Sequence, residues 1–564
     1  MVLSSPRILT LLAFAALTTL SASAQPMRTF LETYQADLDA IRRFYKLETS
    51  PWALDRWQAF YESKAKELQA IKFEKLDRAE KADYILASRL LDLRRKEVDQ
   101  ARAQRGSVDG LAPFLPQLES LIIARQKMEN MDGEQAARDL DSIVKSVDKA
   151  REALKAMKIG DRTIPNRAAN LIEKMRGELR EWFEFYEGYD PLFTWWTKKP
   201  YEAAQAELGS YAQHLKTNLV GIDPEDKNAI IGNPVGEAAL MDSLRAEGIP
   251  YNPTELMAIA KKEYAWCEAE MIKASEELGF GKDWRKALEH VKGLHVSPGE
   301  QPNLIKNLAD EAIEFLEKND LVTVPPLAKE TWRMFMMSPE RQKVSPFFLG
   351  GESIIVSFPT DTMSHDEKMM SLRSNNIHFA RATVHHELFP GHHLQFYSEQ
   401  RYRPYRRVFD TPFWTEGWAL WFEFLFWDMG FPKGPENKIG MLFWRMHRCV
   451  RIEFSLGFHL GKLTPEQCIK MLVEKVGHEP STAEGEVRRS FAGDYPPLYQ
   501  AAYMLGALQF RRLSKELVDS GKMTRKQFHD AVMRENNMPI AMLRAVLNGT
   551  ELTKDFDPSW RFYD

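Results

Sequence analysis

Four of the chain's thirteen histidines, His385, His386, His392 and His393, fall within nine residues of the stretch 384–400, VHHELFPGHHLQFYSEQ. Glu387 follows His386, and a Pro-Gly pair divides the cluster into halves. Imidazoles beside a carboxylate are the donors of a divalent-metal site. Zinc in a hydrolytic site takes three protein ligands and leaves a fourth position open. In the HExxH arrangement the two histidines stand four residues apart on one helical face, and the Glu takes a proton from the attacking water. Here position 390, where that second histidine belongs, is Pro.

On an unbroken helix, at about 100° per residue, His392 lies roughly 240° round from His386, while His393 lies about 20° round but about 10 Å along the axis. Pro390 cannot donate to the carbonyl four residues earlier, and Gly391 tolerates unusual dihedrals. Two residues looped out as a bulge, a device frequent at functional sites, would return His392 to the face of His386. A nearly regular helix would make His393 the ligand instead. The pairing Gly391-His392 mirrors the usual second half and favours His392, with His393 the alternative. His385 is expected to face away from the metal.

The third ligand should come from a second helix. The run 414–421, WTEGWALW, holds Glu416 among aromatic and apolar residues. A buried carboxylate is costly without a partner, and a divalent ion supplies one. Glu423, further along the same run, is expected to support a ligand rather than to be one. The expected cofactor is one zinc ion, although histidine and carboxylate also suit other divalent ions.

The elements that must position these groups read mostly as helix. Residues 80–105, 116–131, 134–157 and 166–187 are dense in helix formers with apolar residues at helical spacing. Gly160-Asp161 and 188–191 break them, and Asn252-Pro253-Thr254-Glu255 has the form of a helix start. One segment, 350–359, is rich in β-branched residues between Gly and Pro and reads as a strand of a small sheet beside the site.

The 564 residues, 44% hydrophobic and 28% charged, can bury a sizeable core. Arg7, the apolar run 8–20 and Ala22-Ser23-Ala24 read as a secretory leader cut after residue 24, too short to span a membrane. No Cys stands at that cleavage point to take a lipid. Residues 25–564 then form one helical domain carrying 75 basic and 80 acidic side chains, a net charge of −5. That balance argues against nucleic acid as a partner, and nothing suggests membrane insertion. Three cysteines with no CxxC leave stability to the core.

HHELFPGHHLQ followed by TEGWALW resembles the large bacterial family called domain of unknown function 885, regarded as zinc peptidases. The resemblance continues through Arg451 to His459, Thr464 to Gln467, Glu486 to Arg489, Pro497, Tyr503 to Gly506, 528–530 and 538–540, and covers roughly 340–560 well. The chain departs from the family's usual pattern at Ser455 and at Pro497-Leu498-Tyr499-Gln500. More distantly, a Glu twenty-four residues after His392 is similar to the helical peptidases related to angiotensin-converting enzyme. These resemblances imply a mainly α, two-lobed metallopeptidase-like fold with a deep cleft. They also imply a periplasmic or secreted zinc peptidase acting on short peptides, with Glu387 as general base. Tyr503, or else His459, would serve the oxyanion, and Arg451 and Arg489 would clamp a substrate carboxylate. A zinc amidohydrolase acting on a non-peptide or cell-wall amide, or a binding protein with a decayed site, are the alternatives.

Overall fold

The structure, a computed structural model, describes residues 25–563 except 156, 158, 159, 227, 228, 343, 344, 493 and 494. The expected leader at 1–24 lies outside the described residues.

The helices form where the sequence places them, with ends set by capping chemistry. The 80–105 segment is the helix Arg78–Gly106. Asp77 accepts from the Glu80 amide, and the Glu80 side chain accepts from the Asp77 amide. Asn252 and Glu255 open Pro253–Glu277 in the same way. The helix expected over 116–131 stops at Gln126, because Met128 turns into the left-handed region. Helices Gly133–Leu154 and Thr163–Tyr186 pack with Pro191–His214 around Leu140, Ile172, Trp182 and Leu208, forming a smaller core. Leu115–Gln126 joins this smaller core through Leu118 and Ile122, and a larger core gathers the other helices, so the fold is mainly α with two centres of packing.

The small sheet also forms, shorter than expected. Strand β1 (Arg333–Met336) pairs in parallel with β2 (Ser353–Val356), Arg333 opposite Ser353. Just before β2 the chain folds back, and Leu349 exchanges both backbone hydrogen bonds with Ile355. Gly350 in this bend lies against Glu387. The sheet therefore borders the histidine cluster.

Six helices carry the rest of the site: α1 (Ile377–Glu387), α2 (His392–Glu399), α3 (Pro412–Asp428), α4 (Pro435–His459), α5 (Pro480–Phe491) and α6 (Tyr499–Ser514). Almost every residue of α3 between Phe413 and Phe426 is buried, as expected for a helix apolar on all faces. It crosses α6 backbone to backbone, and a Cβ on Gly417 would lie 2.6 Å from the Gly506 Cα. Among the described residues, no helix is long and apolar enough to cross a membrane.

Candidate metal centre

Asn376 caps α1, its side chain accepting from the amides of His378 and Phe379. The helix stops at Glu387, and the chain passes through a cis Phe389–Pro390 bond to Gly391, which opens α2. The hydrogen-bond ladder records what was inserted. The Gly391 amide donates to the His385 carbonyl at 3.1 Å and the Leu394 amide to the Leu388 carbonyl at 3.3 Å, six residues back in each case. An α-helix spans four, so two residues are looped out. The backbone is pressed together at this point, and a Cβ on Gly391 would overlap the His386 carbonyl. Trp418 of α3 donates its indole N–H to the Pro390 carbonyl at 2.9 Å, tying the loop to the helix that carries Glu416.

This geometry brings His386 and His392 together, their ring centres 5.0 Å apart and their planes at 89°. Their Nε2 atoms lie 3.3 and 3.2 Å from the same oxygen of Glu416. Glu423, two turns further along α3, accepts from His386 Nδ1 at 2.7 Å. Gln395 donates to the Thr415 carbonyl and so turns its own oxygen to His392 Nδ1, at 2.9 Å. With Nδ1 donating in both rings, both Nε2 lone pairs point at a carboxylate oxygen. Three electron-rich atoms cannot face one another in a buried site without positive charge between them. A tetrahedral ion with bonds of about 2.0–2.1 Å places neighbouring donors about 3.3–3.4 Å apart. The observed spacings fit, and His386, His392 and Glu416 could hold such an ion with one position left open.

In the protein alone, protons serve the same role. Burial lowers both imidazoles, but the carboxylates outweigh it, so His386 is raised and His392 is raised to about 9. Burial would raise Glu416, yet the two imidazoles hold it well below the usual carboxylate range. Glu387 behaves differently. Burial raises its carboxyl against the pull of His392 and His386, and its nearest oxygen stands 3.8 Å from His392 Nε2. Atoms of His386, Glu387 and His392 lie within 4.8 Å of one another, but Glu416 is nearer to both imidazoles and Glu387 stands beside the set.

The remaining expected residues divide. His385 packs against Phe426 and Phe431, donates from Nδ1 to the Arg381 carbonyl, and is lowered by burial to about 4. The ring nitrogens of His393 face the carbonyls of Glu352 and Ala328, at 3.1 and 3.0 Å, which leaves neither for a metal. Tyr503 stacks over His386, ring centres 6.1 Å apart. Arg451 and Arg489 also reach the site and line a cavity of about 240 Å³ with His386, Glu387, His392 and Glu416. His459 is not brought to it. That ring packs on Phe458 and Phe491 at the end of α4, with Nδ1 unpartnered, and burial lowers it to about 4. The cavity lies in the larger core and not between the two, because every residue lining it comes from 341–503.

Sequence reasoning missed Gln395, described above, and two further participants. Tyr499 donates its hydroxyl to the second oxygen of Glu416. Arg448 lines the cavity and lies 4.3 Å from the Tyr503 ring centre. The available signal was spacing: Tyr499 stands one helical turn before Tyr503, and Arg448 one turn before Arg451.

Two solved structures share this fold over 93% of the chain. One, from Shewanella oneidensis and described as a lipoprotein of unknown function, is 16% identical with a TM-score of 0.68 and is covered over 99% of its length. The other, from Colwellia psychrerythraea and described as a lipoprotein, is 18% identical with a TM-score of 0.58, covered over 98%. No curated protein matches the chain. The family described as bacterial protein of unknown function (DUF885) matches residues 45–547, reaching far ahead of the 340–560 stretch that holds the motifs, and the chain belongs to that family.

Proposed function

We propose that the chain is an exported zinc-dependent peptidase that hydrolyses peptide bonds in short peptides. The convergence of His386 Nε2, His392 Nε2 and one Glu416 oxygen, with Glu387 beside them and a cavity in front, carries this reading. A divalent ion bound there would polarise the scissile carbonyl and acidify a water at its open position.

The chain's own groups do the rest. Glu387 is a buried carboxylate with a raised pKa, suited to take a proton and pass it to the leaving amine. Glu423 and Gln395 fix the tautomers of His386 and His392 by accepting from Nδ1. Tyr499 holds Glu416 in place from its other oxygen. Burial keeps the Tyr503 phenol protonated, which makes it a donor for negative charge developing on the carbonyl oxygen. The cavity is small, about 240 Å³, and suits a short substrate. The apolar run at 8–20 supports export.

The test is digestion of a mixed short-peptide library by the zinc-loaded protein and by Glu387→Gln. The wild type should cleave. The variant should keep its zinc and lose about 10²–10⁴-fold in rate. Cleavage of non-peptide amides alone would replace the peptidase by an amidohydrolase, and a zinc-loaded wild type that cleaves neither would end the hydrolytic reading.

A further inference from the structure

One flank of the cavity holds three buried arginines whose hydrogen bonds the protein leaves incomplete. Arg448 and Arg451 project from successive turns of α4 and Arg489 from α5, and all three are at most 8% exposed. One carboxylate contacts two of them. Glu486 takes Arg451 at 2.8 and 2.6 Å and stands 3.7 Å from Arg489. Arg489 also donates to the Tyr495 hydroxyl. Arg448 has no hydrogen-bond partner among the described residues, only the faces of Tyr503 and Trp444 at 4.3 and 5.3 Å. Arg448 Nε, Arg451 Nη1 and Arg489 Nε are buried and unsatisfied. Burying a guanidinium without an acceptor is expensive, and one that lines a cavity can be completed by a ligand there. Burial, and then the neighbouring Arg451, lower the Arg448 pKa against the opposing pull of Tyr503, Glu423 and Glu416, none of which hydrogen-bonds it.

The missing group is planar, anionic and close to the candidate metal centre. Guanidinium forks match carboxylates with two parallel hydrogen bonds. Tyr503 gives the scale, with its ring centre 6.1 Å from His386 and 4.3 Å from Arg448. The guanidinium is thus at most about 10 Å from the imidazole, a gap that about one to three extended residues cross. We infer that Arg448, with Arg451 and Arg489, binds the terminal α-carboxylate of the substrate, so that the cavity takes the free C-terminal end of a peptide and the enzyme releases one or two residues from it. This rests on the hydrolytic reading of the same cavity. The bond broken is the peptide bond one or two residues from that end. Water supplies the hydroxyl to the new carboxylate and a proton to the new amine.

Binding separates this inference from the hydrolytic one. The zinc-loaded Glu387→Gln protein is titrated calorimetrically with acetyl-Ala-Ala-Ala-Phe as the free acid, with its C-terminal amide, and with acetyl-Ala-Ala-Asp-Phe-amide. The free acid should bind at least about tenfold more tightly than either amide, and Arg448→Met should remove that preference. Equal binding of acid and amide overturns the inference without any arginine variant, as does an Asp-containing amide that binds like the free acid. A clear preference for the acid, in a protein whose wild type cleaves no peptide, keeps the carboxylate site and discards hydrolysis.

Discussion

The Gly391 amide donates to the carbonyl of His385, six residues behind it, where a regular helix would reach back four. His386 and His392 are six apart in sequence and yet share a face. The close approach requires a residue without a side chain, since a Cβ on Gly391 would overlap the His386 carbonyl. Gly391→Ala should therefore push the two imidazoles out of register. We expect zinc affinity to fall by at least about 100-fold and stability by about 2–4 kcal/mol, read by competitive zinc titration and denaturant unfolding. Undiminished affinity would detach the loop from the metal centre.

His392 and His393 are separable by the same titration. His393 meets two backbone carbonyls, whereas His392 Nε2 faces Glu416. His393→Gln should keep stoichiometric zinc and lose about 1–3 kcal/mol of stability through unpaired carbonyls. His392→Gln should lose the zinc. The reverse pattern would move the second ligand to His393.

Glu423 touches no open position, but it fixes the ring of His386 through Nδ1. Glu423→Gln should leave one zinc per chain at saturation and weaken its affinity by about 10–100-fold. Metal analysis of the saturated variant together with a competition curve checks both halves of this expectation.

A pH effect follows from His529. Trp421 donates to its Nε2 at 3.0 Å, and its Nδ1 meets the Leu321 carbonyl at 2.7 Å, which fixes a neutral ring. Burial lowers it from 6.5 to about 4. Between these values the unfolded chain binds a proton that the folded chain refuses. The stabilisation is whole above about pH 6.5 and is lost as pH falls toward 4. His529→Gln, which keeps a donor and an acceptor, should flatten unfolding free energy against pH in that window by up to about 1.4 kcal/mol per unit. An unchanged slope would mean that His529 does not titrate there.

The helices were legible because caps and breakers are local, as at Asp77 and Asn252. His386, Glu387, His392 and Glu416 were legible for a related reason, since two short segments carry all four and a buried acid among tryptophans asks for a partner. The choice between His392 and His393 turned on a loop whose path depends on Trp418, twenty-eight residues away from Pro390. Arg448 and Tyr499 were not read, because helical spacing places them beside Arg451 and Tyr503 but the packing of α4 and α6 decides that they reach the cavity. His459 was carried by resemblance alone, and its ring turns toward Phe491.

The crossing of α3 and α6 at Gly417 and Gly506 has a further consequence. With no side chains between the two rods, their separation is set by main-chain atoms in contact, and Glu416 stands one residue from that fulcrum. The carboxylate is thus aimed before any ion arrives, and capture needs little reorganisation of the scaffold. Widening the crossing by a single methyl group would tilt the acid away from the imidazoles without touching any of the three.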